Sequence, residues 1–156
     1  MNADYLRSLL SYDPDTGVFI WISVRLGRCK KGNRAGGFSH GYRRIRLGDR
    51  RYAEHRLAWL YMTGSWPEGE LDHRNGNKQD NSWCNLRVAT RTENMANARA
   101  RKLVKGVTRV RTGKWTAQIQ KHGVKEHLGT FDTADAAHAA YKNRAAELFG
   151  EFARFE

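Results

Sequence analysis

Between Glu70 and about Arg101 short apolar runs alternate with polar residues in a pattern that fits strand, loop, strand and helix in that order. Glu70-Leu71-Asp72-His73 reads as a strand, Arg74 to Trp83 as a polar loop, and Asn85-Leu86-Arg87-Val88-Ala89-Thr90 as a second strand. Glu93 to about Arg101 reads as a helix with Thr92 as its cap. This ββα unit is the frame on which the remaining expectations rest.

Hydrolysis of a phosphodiester needs an activated water, a cation on the scissile phosphate and stabilisation of the leaving 3′ oxygen. Asp72 and His73, adjacent at a strand end, can supply two of these. The carboxylate of Asp72 offers a hard oxygen to a divalent metal, and the imidazole of His73 can take a proton from water near neutral pH. Successive strand residues point to opposite sides, so the two can play different roles only if the strand ends or twists there, as Asn75-Gly76 permits. Asn94, at the start of the helix, can reach back to a metal with its amide oxygen. One carboxylate, one amide oxygen, waters and phosphate oxygens form an all-oxygen shell that suits Mg²⁺ or Mn²⁺ better than Zn²⁺. A single Asp-His pair is weak evidence, because a lone His more often serves structure. The spacing to Asn85 and Asn94 gives the pair its weight.

Upstream, residues 3–10 have helical spacing with Asp4 as a candidate N-cap, and Asp13-Pro14-Asp15-Thr16-Gly17 is a turn leading into the strand-like run Val18–Ile22. Arg25 to Arg51 holds ten Lys and Arg against one acid, Asp49, and Tyr42–Leu47 alternates before a turn at Gly48-Asp49. A basic hairpin follows. Exposed surfaces normally mix signs, so this run is expected to contact phosphate through Arg43, Arg44 and Arg46. His55 to Met62 reads as a short buried helix stopped by Gly64 and Pro67. Arg74 and Lys78 fit either a phosphate clamp or a solvated loop.

Downstream, residues 98–105 are basic and lack apolar periodicity, which sets a domain boundary between residues 101 and 102. Three short strands follow at Val107–Val110, Lys114–Gln120 and Lys125–Phe131, then an Ala-rich helix from Thr133 to about Leu148, stopped by Gly150.

The net charge of +12 points to a polyanionic partner, and both parts share it: residues 1–100 carry 17 Lys/Arg and 10 Asp/Glu, residues 101–156 carry 11 and 6. Mean hydropathy is −0.76 and no run approaches the ~18 apolar residues of a spanning helix, so a membrane is not the expected partner. The N-terminus shows no signal-peptide pattern, and Cys29 and Cys84 form no CxxC pair, both in keeping with a reducing cytoplasmic, intracellular setting.

The stretch from Leu71 to Asn94 resembles the HNH endonucleases, in particular the phage homing and nicking enzymes. The resemblance runs from His55-Arg56-Leu57 to Asn97, and Asp13–Trp21 is similar to a segment that often precedes this core. It implies a ββα-metal nuclease core at about residues 68–101, within an HNH endonuclease domain spanning residues 1–101. It further implies that Asp72 is a metal ligand, His73 the general base, Asn85 the residue that holds the loop and so places His73, and Asn94 the second metal ligand. Many members have His at the last motif position where this chain has Asn94. His55 stands where the family often has His-Arg, with a structural, a DNA-positioning or a chemical role open to it.

Gly106–Ile119 and Leu128–Ala137 resemble the AP2 domain of plant transcription factors and phage endonucleases. That resemblance implies an α+β chain whose residues 102–156 form a three-stranded antiparallel sheet, backed by one helix and lying in the DNA major groove. Arg109, Arg111, Lys114, Trp115, Gln118, Gln120 and Lys125 are the candidate contacts, with core packing the alternative for Trp115. The plant pattern has Arg where this chain has Thr108 and Val110, and a DNA-facing Trp where it has His127, so the plant recognition sequence does not carry over.

The resulting expectation is a phage-type HNH endonuclease that cuts double-stranded DNA with one Mg²⁺ or Mn²⁺, as a homing or nicking enzyme, with the monomer favoured. The alternatives are a DNA-binding or regulatory protein on an HNH scaffold that does not cut, and an RNA-binding protein. Neither part carries the paired stacking motifs of an RNA-recognition sheet.

Overall fold

A computed structural model of the protein describes residues 1–23, 30–98 and 104–155. It divides into two compact units, Met1–Val88 and Ala89–Glu156. The expected boundary at residues 101 and 102, Cys29, and the Arg25 and Arg28 end of the basic run lie outside the described residues.

The first unit opens with helix α1 (Ala3–Leu9). Its N-cap is Asn2, not Asp4: the Asn2 Oδ1 accepts from the Tyr5 backbone N–H at 3.0 Å, while Asp4 sits in the first turn and complements the helix dipole. Strands β1 (Leu10–Asp13) and β2 (Val18–Trp21) form a hairpin. Asp13 organises its turn by accepting from the Asp15 N–H and the Thr16 hydroxyl, and these bonds hold its carboxyl below the usual carboxylate range. Gly17 sits at φ +70°, and a Cβ there would meet the Asn81 carbonyl carbon at 2.3 Å. The turn is therefore pressed against the segment that leads out of the polar loop, an approach only glycine permits.

Strands β3 (Gly37–Ser39), β4 (Tyr42–Leu47) and β5 (Arg50–Ala53) form an antiparallel sheet with β4 in the centre. Within β4, Ile45 and Leu47 are buried and Arg46 is exposed, the alternation read from the sequence. Helix α2 (Glu54–Thr63) follows and ends on the left-handed Gly64. Leu6, Leu10, Phe19, Ile45, Leu57 and Leu60 form the centre of one core. Strand β6 (Glu70–His73) pairs with β7 (Leu86–Ala89).

The second unit contains α3 (Arg91–Asn97), capped by Thr90 and not Thr92. Thr90 accepts from the Glu93 N–H while Glu93 reaches back to the Thr90 N–H, a complete capping box. The helix ends at Asn97, short of the expected Arg101. Strands β8 (Val107–Arg109), β9 (Trp115–Lys121) and β10 (Val124–Phe131) form an antiparallel sheet with β9 central. Helix α4 (Ala134–Phe149), capped by Thr133, packs on it through Ala137, Tyr141, Ala145 and Phe149 against Val107, Ala117 and Ile119. The chain is thus of mixed α and β structure. Among the described residues no helix is long and apolar enough to cross a membrane.

Candidate active site

Asp72 and His73 end strand β6, and both are buried, at 4% exposure each. The Asp72 Oδ2 accepts from Arg87 Nε at 3.0 Å and lies 2.9 Å from Arg87 Nη2. Arg87 is itself buried, which inverts the alternation expected of β7: Arg87 turns inward and Val88 is 43% exposed. A buried guanidinium is retained only against an opposite charge, so the ion pair explains the inversion. Nε and Nη2 of Arg87 both face the Oδ2 of Asp72, which helps to fix the orientation of the carboxylate.

The ring of His73 is gripped on one side. Its Nε2 lies 3.0 Å from Asn81 Oδ1, and Asn81 Nδ2 donates to Glu54 Oε2 at 3.1 Å. Arg43 Nε lies 2.9 Å from the same Glu54 oxygen. Glu54 is fully buried, and burial raises its pKa against the opposing pull of Arg43. The backbone oxygen of Asn81 accepts from the Tyr12 hydroxyl at 2.7 Å, and burial keeps that hydroxyl protonated by pushing its pKa up. Trp83 N–H donates to Pro14 O at 2.8 Å. The N-terminal hairpin therefore anchors the far end of the loop that begins at His73.

Asn85 ties the same loop from within. Its Oδ1 accepts from the Asn75 N–H at 3.0 Å, its Nδ2 donates to Asp80 O at 2.7 Å, and its backbone oxygen accepts from the Arg74 N–H at 2.8 Å. Asp80 adds bonds from the Ser82 hydroxyl and Asn75 Nδ2, which lower its pKa.

His55 and Tyr42 line the other side of His73. The His55 ring stands edge-on to His73 at 5.1 Å, and Tyr42 lies 5.4 Å from His55 and 6.4 Å from His73. Burial, followed by the positive fields of His73, Arg56 and Arg44, pushes the His55 pKa down to about 3. His55 is therefore neutral at physiological pH. Lys78 Nζ sits 4.8 Å above the Tyr42 ring, and both Lys78 and Arg74 are exposed.

The basic hairpin splits by role. Arg43, expected from the sequence to contact phosphate, turns inward with an 11% exposed side chain, to Glu54 and the Ala35 carbonyl. Arg44 and Arg46 join Arg34 and Arg51 around a cleft that also includes exposed Phe38. Among the described residues no acid lines that cleft, and Arg44 Nε is buried without a hydrogen-bond partner.

In the second unit, register places Thr108, Thr116, Gln118, Gln120, Lys125 and His127 on the face away from α4. Arg109 pairs with Trp115 on the core side, and its guanidinium lies 5.9 Å from the half-buried indole. Trp115 is half-buried against the core of this unit, and Arg109 beside it is exposed. Arg111 and Lys114 stand at the exposed β8–β9 tip, where Lys114 meets Asp132 at 3.0 Å. The sheet face is polar with little charge, and the cations sit at its end. Asn94 belongs to this unit, on α3, its N–H bonded to Thr90 O at 2.9 Å.

Among the described residues no group of three or more His, Cys, Asp and Glu is arranged to hold a metal. The carboxylate of Asp72 and the amide oxygen of Asn94, the ligands expected from the sequence, are not the nitrogen and sulfur donors that zinc commonly takes. Such oxygen donors would fit a hard cation such as Mg²⁺, which is commonly held by one or two carboxylates and completes its shell with water and phosphate oxygens.

Glu54, Asn81, Arg87 and Tyr12 were not singled out from the sequence. Glu54 carried a signal: it is an acid among Arg50, Arg51 and Arg56. Arg87, inside an otherwise apolar strand run, carried another.

The HNH endonuclease family model matches residues 52–96, a stretch that contains Asp72, His73, Asn81, Asn85, Arg87 and Asn94. A protein of Acanthamoeba polyphaga mimivirus, named as an uncharacterised HNH endonuclease, is 35% identical over 101 residues, covering 64% of this chain and 54% of the relative. The chain therefore spans about half the length of that relative. No solved structure matches. The central stretch of the chain, with the loop and strand that surround His73, is similar to the HNH endonucleases.

Proposed function

We propose that the protein is a DNA endonuclease that hydrolyses phosphodiesters with a divalent metal, Mg²⁺ or Mn²⁺. The observation that carries this reading is the pairing, at the end of β6, of an Asp oriented by Arg87 with a His whose ring is held by Asn81. His73 accepts the proton of the attacking water, and Asn85 keeps the loop in the shape that presents it. Asp72 holds the metal, with Asn94 as second ligand on the strength of the sequence motif. When bound, the metal supplies a positive charge for the scissile phosphate and the leaving 3′ oxygen.

Arg44, Arg46 and Arg51 carry the DNA backbone in the acid-free cleft, and Arg74 and Lys78 clamp phosphates beside the site. Residues 102–156 act as an AP2-like double-stranded DNA-binding module, with Gln118 and Lys125 on the sheet face and Arg111 and Lys114 at its tip. A second module on the same chain raises the local concentration of each for one DNA, so weak contacts suffice. A single active site per chain favours nicking by a monomer, in the manner of a phage homing or nicking enzyme.

Supercoiled plasmid incubated with Mg²⁺, Mn²⁺ or EDTA tests the reading. Conversion to open circle with metal, abolished by His73→Ala, is the expected result. Tight binding of intact DNA under every metal would instead select the non-cleaving, regulatory reading.

A further inference from the structure

We infer that Glu54 and Asn81 are positioning residues that decide which nitrogen of His73 carries its proton, placing the hydrogen on Nε2 and the lone pair on Nδ1. The inference rests on the nuclease reading for its functional meaning, but the tautomer itself can be tested without it.

Each link in the buried chain has one possible polarity. A guanidinium has no acceptor, so the Glu54 oxygen that lies 2.9 Å from Arg43 Nε faces it as the anion of an ion pair. The same carboxylate oxygen stands 3.1 Å from the Asn81 side chain and can be met there only by an amide N–H. The Asn81 amide oxygen must then be the atom that faces His73 Nε2 at 3.0 Å. An amide oxygen only accepts, so the ring must donate from Nε2, and a neutral imidazole then has its lone pair on Nδ1.

The chain is also rigid. Glu54 is fully buried, Asn81 is 2% exposed, and the Tyr12 hydroxyl pins the Asn81 backbone oxygen at 2.7 Å. The close approach of Gly17 blocks the peptide from shifting towards the hairpin. A half-turn of the His73 ring would break the bond to Asn81 and leave a buried amide oxygen unsatisfied, which opposes the flip. Nδ1 is thereby assigned as the atom that takes the proton from the attacking water. His55, neutral beside it, adds no charge that would compete.

The first test is nitrogen-15 NMR of the histidine rings in the full chain at alkaline pH. A slowly exchanging proton on His73 Nε2, with an unprotonated Nδ1, is expected. A proton on Nδ1, or a ring N–H that exchanges freely, overturns the inference. The second compares Asn81→Leu with Asn81→Asp, which keeps an oxygen acceptor on Nε2 and can meet Glu54 through one proton shared between the two carboxyls. Asn81→Leu is expected to lose the protected proton and to slow single-turnover cleavage at least about tenfold, with DNA affinity unchanged. Asn81→Asp is expected to keep the proton on Nε2 and to retain more of the rate than Asn81→Leu. Equal loss of the proton in both, with both folded, overturns the inference. If the wild type does not cut DNA, the nuclease reading fails while the NMR result still decides the tautomer.

Discussion

Acid should destabilise the first unit through one residue, His55. Its pKa falls from 6.5 to about 3 on folding because burial and neighbouring cations disfavour the imidazolium. The unfolded chain therefore binds a proton that the folded chain refuses. Stability from this group is complete above pH 6.5 and is lost progressively as pH falls towards 3. At pH 5 the linkage amounts to RT ln(1 + 10^1.5), or about 2 kcal/mol, and solvent screening of the partly exposed ring brings it to about 1–2 kcal/mol. Glu54 acts with the opposite sign, since its raised pKa lets the folded state hold a proton more tightly as pH drops. The assay is urea unfolding at pH 7 and pH 5 in EDTA, followed by tryptophan fluorescence, for the wild type and His55→Phe. Phenylalanine keeps a ring against Tyr42 and His73 but cannot titrate. The wild type should lose about 1–2 kcal/mol more than the variant between the two pH values. Equal losses would refute the account of His55 as a buried neutral imidazole.

Three further outcomes follow from the geometry. Asn85→Ala removes an acceptor for the Asn75 N–H and a donor to Asp80 O, so it should cost about 1–3 kcal/mol in urea unfolding and depress plasmid nicking far more than DNA affinity. Gly17→Ala must adopt a left-handed backbone and force its Cβ against the Asn81 peptide, so its unfolding midpoint should fall by the equivalent of about 2–5 kcal/mol. In filter binding at graded salt, Arg46→Ala/Arg51→Ala should flatten the slope of log Kd against log salt by about 2 if each guanidinium meets one phosphate, whereas Arg43→Ala should act mainly on stability.

The elements whose signal is local were legible in the sequence. Strand β6, the end of α2 at Gly64, the Asp13–Gly17 turn and the helix after Thr133 all follow from caps, turns and periodicity over a few neighbours. Two caps were misplaced although the residues carried the sign: Thr90 and Glu93 have capping-box spacing, and Asn2 precedes Tyr5 by three. Long-range electrostatics was not legible. Arg43 looks like its neighbours in a basic run, and only the fold, by bringing Glu54 beside it, makes it a buried counter-ion. Arg87 and Val88 exchange the sides that hydropathy gives them because Asp72, fifteen residues earlier, waits on the inner side. Asn81 reads as one more loop residue until Glu54, Tyr12 and His73 are found around it.

The hydroxyl of Tyr12, the carbonyl of Pro14 and the bare α-carbon of Gly17 all bear on residues 81–83. The stretch that matches the family begins only at residue 52. A fragment cut at that point would keep Asp72, His73, Asn81 and Asn85, and would lose the wall against which their loop is cast. The stretch that matches the family is therefore smaller than the set of elements that braces its loop. Any transplant of this site onto another scaffold must carry the hairpin along or replace the three contacts it makes.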